Sequence, residues 1–85
     1  MLKIVVEARD GASVVRAEGQ MIGPWVNELG RLVEELLRAR VEPPTVDLRG
    51  VSFVDRDGVD LLRRLEHRGV TMVNCSRFVA EQLKG

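Results

Sequence analysis

Thr45-Val46-Asp47-Leu48-Arg49-Gly50-Val51-Ser52-Phe53-Val54-Asp55-Arg56-Asp57-Gly58-Val59-Asp60-Leu61-Leu62-Arg63-Arg64-Leu65 is the stretch on which the fold turns. Val46 and Leu48 alternate with Thr45, Asp47 and Arg49, the period of a half-buried strand over Thr45 to Arg49. Gly50 to Asp55 then reads as a loop. From Arg56 to His67 the period changes. Gly58, Leu61, Leu62 and Leu65 fall on one helical face, and Gly69 supplies the stop. Two acids, Asp55 and Asp57, stand at the strand-to-helix junction. Open α/β proteins place their chemistry or their partner contacts at such junctions.

Upstream of this corner, Leu2, Ile4, Val6 and Ala8 alternate with Lys3, Val5 and Glu7, and Ser13 to Gly19 alternates likewise. Arg9-Asp10-Gly11-Ala12 lies between them. An Asp-Gly pair favours a type I′ turn, because both central residues need positive φ. That turn sets Arg9 against Ala12, Glu7 against Val14, Val5 against Arg16 and Lys3 against Glu18. Ile4 with Ala17 and Val6 with Val15 become the inward pairs, and Lys3–Glu18 is the opposite-charge pair on the polar face.

Gly23-Pro24 opens a long helix, since proline's missing N–H is no loss in the first turn. Ile22, Trp25, Val26, Leu29, Leu32, Val33, Leu36 and Leu37 form its apolar stripe, and Pro43-Pro44 prevents it from continuing. Arg31–Glu35 and Glu34–Arg38 are spaced as ion pairs, as is Asp60–Arg64 on the second helix. Gly30, costly inside a helix, implies a close approach to the sheet. Val70 to Asn74 is a fourth strand. Ser76 caps a last helix carrying Phe78, Val79 and Leu83.

The expected architecture is therefore α/β, in the order β-β-α-β-α-β-α, with a four-stranded mixed sheet and helices mainly on one face. Alternating strands imply that the other face stays open, carrying Lys3, Glu7, Arg16, Glu18, Asp47, Arg49 and Thr71. The 85 residues, 45% of them hydrophobic, make one small domain, residues 1 to 85. The zero net charge argues against a duplex-binding surface, so no nucleic-acid partner is expected. A single Cys fits a reducing compartment. The start of the chain does not read as a signal peptide, and no apolar run is long enough to span a membrane. A cytoplasmic protein, not inserted in a membrane, is expected.

No cofactor or metal is expected. Asp55-Arg56-Asp57 begins like a calcium loop, but Val59 and Asp60 stand where an oxygen ligand and the turn glycine belong. One Cys and one His do not make a zinc site. His67 reads as a solvated helix-end residue, Cys75 as a small packed side chain, and Trp25 as a core anchor, with an interface hot spot as its alternative. With no acid/base pair or nucleophile arranged, the chain does not read as an enzyme. Asp55 and Asp57 also have a purely structural reading, because a helix N-terminus favours acids and Asp is a good N-cap.

The ordered set Gly23-Pro24-Trp25, Val46-Asp47-Leu48-Arg49-Gly50-Val51, Phe53-Val54-Asp55-Arg56-Asp57-Gly58-Val59 and Asn74-Cys75-Ser76 resembles the STAS domain family. That family includes bacterial anti-sigma-factor antagonists and sulphate-transporter tails. The strongest match is the Asp-Leu-x-Gly-Val-x-Phe-x-Asp-x-x-Gly pattern from Asp47 to Gly58. The resemblance implies a protein-binding module in signal transduction and transcription regulation. Its partner would be an anti-sigma factor that is also a serine kinase. Phosphorylation of a Ser or Thr just before the glycine breaks that binding, through a phosphate carrying about −1.5 to −2 charges. Here Asp57 stands at the phospho-acceptor position and Arg56 beside it, while Ser52 lies upstream of the motif. The resemblance thus implies a fixed-charge contact surface from Ser52, Asp55, Arg56, Asp57, Gly58 and Asp60. It also implies a minimal form, ending before the further strand and helix usual in the family. Its sheet edge or its helix layer is then left to be completed by a partner or by a second copy, so a homodimer is an open alternative. The other functional alternative is a small docking subunit of a bacterial lipid-transport ABC complex, held by its ATPase.

Overall fold

The computed structural model describes residues 1–39 and 42–84. The elements follow in the expected order: β1 (Leu2–Arg9), β2 (Ala12–Met21), α1 (Pro24–Ala39), β3 (Thr45–Val54), α2 (Arg56–His67), β4 (Thr71–Val73) and α3 (Arg77–Lys84). They build one mixed sheet of four strands in the order β1-β2-β3-β4. β1 and β2 are antiparallel, whereas β2–β3 and β3–β4 are parallel. The parallel pairs follow from the helical crossovers between those strands.

The hairpin keeps the expected register from Lys3↔Glu18 through Arg9↔Ala12 without a shift. Asp10 and Gly11 have φ of 49° and 82°, both positive as a type I′ turn demands. The polar face pairs its charges differently, however. Arg16, directly opposite Val5, reaches Oε1 of its diagonal neighbour Glu7 at 2.9 Å, and the Lys3–Glu18 ion pair does not form.

Three boundaries differ from expectation. β2 runs on to Met21, and β3 runs through Gly50 to Val54, where a loop was expected. Their pairing shifts register twice, between Arg16 and Glu18 and between Gly19 and Gln20. These irregularities convert the period of β3 from two to three, so that Leu48, Val51 and Val54 all point into the core. A strict alternation read from sequence breaks at Gly50 for this reason. Ser52 and Phe53 consequently lie on a strand. β4 is shorter than expected, at three residues.

The core lies between the sheet and the helices. Val15, Ala17, Met21, Val46, Leu48 and Val54 meet Val26, Leu29, Val33, Leu61, Leu62, Leu65 and Val79 there. Each large side chain so buried contributes about 1.5–3 kcal/mol. The helix layer does not reach the outer strand fully: Val6, expected inside, is 44% exposed. Gly30 has the close neighbour its cost implied, but on α2 and not on the sheet. An added Cβ would lie 3.1 Å from Leu61 Cδ1. The helix ion pairs also differ. Arg31 reaches back to Glu28, and Glu34 pairs with Arg68 beyond the end of α2, so neither partner is the one four residues on. Asp60 and Arg64 form no ion pair. Among the described residues no helix is long and apolar enough to cross a membrane.

Candidate functional site

The junction between β3 and α2 is one residue long: Asp55, with extended backbone (φ −80°, ψ −179°). Its carboxylate is used twice. Oδ1 accepts the N–H of Gly58 at 2.8 Å, the capping bond expected of an N-cap. Oδ2 accepts the N–H of Gly23 at 2.9 Å, in the turn that opens α1. Asp55 N–H also donates to the Met21 carbonyl at 3.1 Å. One half-buried residue thus ties the starts of both crossover helices, through its carboxylate, to the ends of both central strands, through its backbone. The Gly23 bond joins residues 32 apart in sequence, so local spacing gave no sign of it.

Gly58 is buried in the first turn of α2. A Cβ there would lie 2.6 Å from Val54 Cγ1 and 3.0 Å from the Met21 carbonyl oxygen. The glycine lets the helix start sit directly on the strand ends, and its role is packing. Ser52 is exposed on β3, with its hydroxyl donating to the Gly19 carbonyl at 3.3 Å. Arg56, Asp57 and Asp60 are exposed. Asp57 and Asp60 line a cleft between α1 and α2 with Asn27, Arg63 and Arg64. Arg56 and Asp60 line a second cleft toward α3, with Arg63 and Gln82. The structure thus gathers Asp55 to Asp60 at one corner, while Ser52 lines neither cleft.

Two contributors to this corner escaped the sequence reading. Gln82 of α3 pairs with Val54 as a strand would. Its Oε1 accepts the Val54 N–H at 3.2 Å, and its Nε2 donates to the Val54 carbonyl at 2.6 Å. Arg63 of α2 donates through Nη2 to the Leu83 carbonyl at 2.6 Å near the end of α3. Both bonds are long-range, and a Gln or Arg on a helix face carries no mark of its acceptor. Phe53 and Phe78, 39% and 57% exposed, lie with ring centroids 6.4 Å apart and add an aromatic surface where β3 meets α3. Trp25 is half-buried against the core, as an anchor in the first turn of α1.

The face of the sheet away from the core is a shallow charged concavity of about 490 Å³, lined by Glu7, Arg16, Glu18, Asp47, Arg49 and Asn74 among others. Asp47 accepts the Arg49 N–H at 2.9 Å. That bond, helped by Asn74 and by the charges of Arg49 and Arg16, holds its carboxyl below the usual range against a smaller desolvation effect. The Glu7 hydrogen bond and charge push Arg16 up. Burial pushes the Cys75 thiol up, which disfavours the reactive thiolate. No three His, Cys, Asp or Glu among the described residues are grouped to hold a metal ion.

Solved structures with this fold include an anti-sigma factor antagonist from Mycobacterium paratuberculosis (TM-score 0.71, 21% identity, 85% of this chain and 64% of that one covered). They also include the anti-sigma factor antagonist SpoIIAA in its unphosphorylated form (0.72, 19%, 96% and 82%). A third is an antisigma-factor antagonist STAS domain from Rhodobacter sphaeroides (0.66, 20%, 86% and 86%). The chain therefore has the STAS, or SpoIIAA-like, fold, and it spans under two thirds of the mycobacterial protein's length. No family model and no curated protein sequence matches it.

Proposed function

We propose that this chain is a non-enzymatic, cytoplasmic protein-binding module of the anti-sigma-factor-antagonist type, acting in bacterial transcription control. Its contact surface is the α2 start, with Arg56, Asp57 and Asp60 facing the partner. Asp55 and Gly58 hold that surface in shape from below. The partner is a protein of the anti-sigma factor or serine-kinase class.

The observation that carries this reading is the division of labour between the two acids. Asp55 is engaged by two backbone N–H groups, whereas Asp57, two residues on, is exposed in the first helical turn. Backbone N–H groups in a first turn have no intrahelical acceptors, and the helix dipole adds positive character there. Asp57 sets a permanent negative charge into that field, at the position where the resembled family carries a switchable hydroxyl. A fixed carboxylate has the sign of a phosphate with about half its charge. The chain is accordingly a module held partway toward the released state.

The test is retention of partners from the source cell by tagged native chain, Asp57→Ser and Asp57→Arg, with the retained proteins identified. The expected result is a kinase-like or sigma-control protein, held more tightly by Asp57→Ser. Retention of an ABC ATPase equally by all three chains would instead make the protein a docking subunit, with Asp57 serving only the helix start.

A further inference from the structure

β1 is one of the two edge strands of the sheet, eight residues long and paired with β2 without a bulge. Exposed edges are usually blunted by shortening, bulging or charge, because their unpaired N–H and C=O groups template another strand. The hydrogen-bond parity of this edge is fixed. The Asp10-Gly11 turn closes on Arg9 and Ala12 as a bonded pair, and in an antiparallel ladder bonded pairs alternate with non-bonded ones. Odd-numbered residues of β1 therefore turn their backbone groups toward β2. The Met1 carbonyl, odd-numbered, accepts the Gln20 N–H at 3.0 Å, in agreement. Leu2, Ile4, Val6 and Ala8 direct theirs outward, where no strand lies among the described residues.

The side chains along this edge are patterned too. Val6 is 44% exposed and Ile4 half-buried on the helix side. They form the floor of a groove of about 340 Å³ with Leu32, edged by Glu28, Arg31 and Glu35 of α1. On the open face stand Lys3, Val5 and Glu7. Arg16 occupies only Oε1 of Glu7, at 2.9 Å.

We propose that β1 docks edge to edge on β1 of a second copy, antiparallel, with the two-fold axis through Val5, so that two four-stranded sheets join into one. Side-chain charge and length of overlap together select this register. Faces match only when the axis passes through a residue, and a well-overlapped pairing centres it on Ile4, Val5 or Val6. An axis on Val6 sets Lys3 against the partner's Arg9, a repulsive pair. An axis on Ile4 sets Lys3 against the partner's Val5, brings Glu7 only to the partner's Met1, and leaves Ala8 and Arg9 unpaired. An axis on Val5 sets Lys3 against the partner's Glu7, and Glu7 against the partner's Lys3. It also sets Ile4 against the partner's Val6 twice over, covering the apolar floor that α1 leaves open. The patch is self-complementary, as an isologous two-fold contact requires, and it uses none of the residues from Asp55 to Asp60.

The experiment is sedimentation of the native chain and three variants from about 1 μM to about 1 mM, with circular dichroism confirming that each is folded. The native chain is expected to shift from monomer to dimer across this range. Lys3→Glu and Glu7→Lys each weaken the dimer at least about tenfold. An equimolar mixture of those two restores it, because one chain then offers two acids and the other two lysines. Val6→Pro loses an outward N–H that β2 does not use, so it folds and stays monomeric. A native chain that remains monomeric throughout overturns the proposal, and would leave the edge to a strand of another protein. So does a dimer that survives both Lys3→Glu and Val6→Pro, or a mixture that stays monomeric while the native chain dimerises.

Discussion

Asp55→Ala tests the structural half of the corner, and its cost can be worked from two bonds. The first is the helix cap, Oδ1 with the Gly58 N–H at 2.8 Å. Loss of an N-cap of this kind costs about 1 kcal/mol. The second is Oδ2 with the Gly23 N–H at 2.9 Å, in an exposed turn. A hydrogen bond of net worth about 1 kcal/mol is the appropriate figure there. The sum is about 2 kcal/mol, and in a domain this small each kcal/mol moves Tm by about 4–8 °C, so a drop of about 8–16 °C is expected. Asp55→Asn separates the two bonds. Its amide oxygen can keep one N–H, but its NH₂ cannot accept the other, so about half the loss remains. Asp57→Ala is the control. Its exposed carboxylate loses only a dipole interaction, offset by alanine's helix propensity, and Tm stays within about 4 °C. Thermal melts followed by circular dichroism give all three values. Amide exchange at Gly23 supplies the local readout, and it should accelerate in Asp55→Ala and not in Asp57→Ala. Equal destabilisation by Asp55→Ala and Asp57→Ala, or an unchanged Gly23 amide in Asp55→Ala, would refute the division of the two acids.

Gly58→Ala should be destabilising although alanine is the better helix former. The gain of about 1 kcal/mol in propensity is outweighed by about 1–3 kcal/mol of overpacking against Val54 and the Met21 carbonyl, and urea titration should show a lower midpoint. Gln82→Ala leaves the part-buried backbone of Val54 without both partners. A loss of about 1–3 kcal/mol follows, with faster exchange of the Val54 amide, whereas Gln82→Glu keeps the acceptor and loses only the donor. Asp47 gives a pH signature. Its folded pKa is lowered, so its contribution is complete above the unfolded value near 4 and is lost as pH falls through the folded one. The stability difference between the native chain and Asp47→Ala should therefore be flat from about pH 5 to 7 and shrink below about pH 4; a difference that grows on acidification would contradict the assignment.

The hairpin register was legible because one dipeptide, Asp10-Gly11, sets a turn type, and the turn sets every pair from Lys3↔Glu18 inward. The bounds of α2 were legible because an N-cap and a terminal glycine bracket an apolar stripe. The second half of β3 was not. Its register shifts depend on β2, and a bulge turns the period of two into one of three at Gly50. Val6 was misplaced because alternation states which face a side chain takes, but not whether a helix extends far enough to cover it. At the corner, sequence separated neither acid from the other. Asp55 and Asp57 share a helix start, and only the distant Gly23 N–H shows which one is committed to the fold. Gln82 and Arg63 were silent for the same reason, since each acts on a backbone carbonyl of another element.

The proposed function requires a partner protein to cover the start of α2. Hydrogen exchange of the chain, free and bound to the captured partner, reads this directly. The first-turn amides of Arg56 and Asp57 have no intrahelical acceptor and exchange fast when free. Partner binding should slow them most, together with amides through Asp60, while the β1 amides of Ile4 and Val6 should not respond at matched oligomeric state. Protection confined to the charged sheet face around Arg16 and Asp47, with Arg56 and Asp57 unchanged, would contradict it.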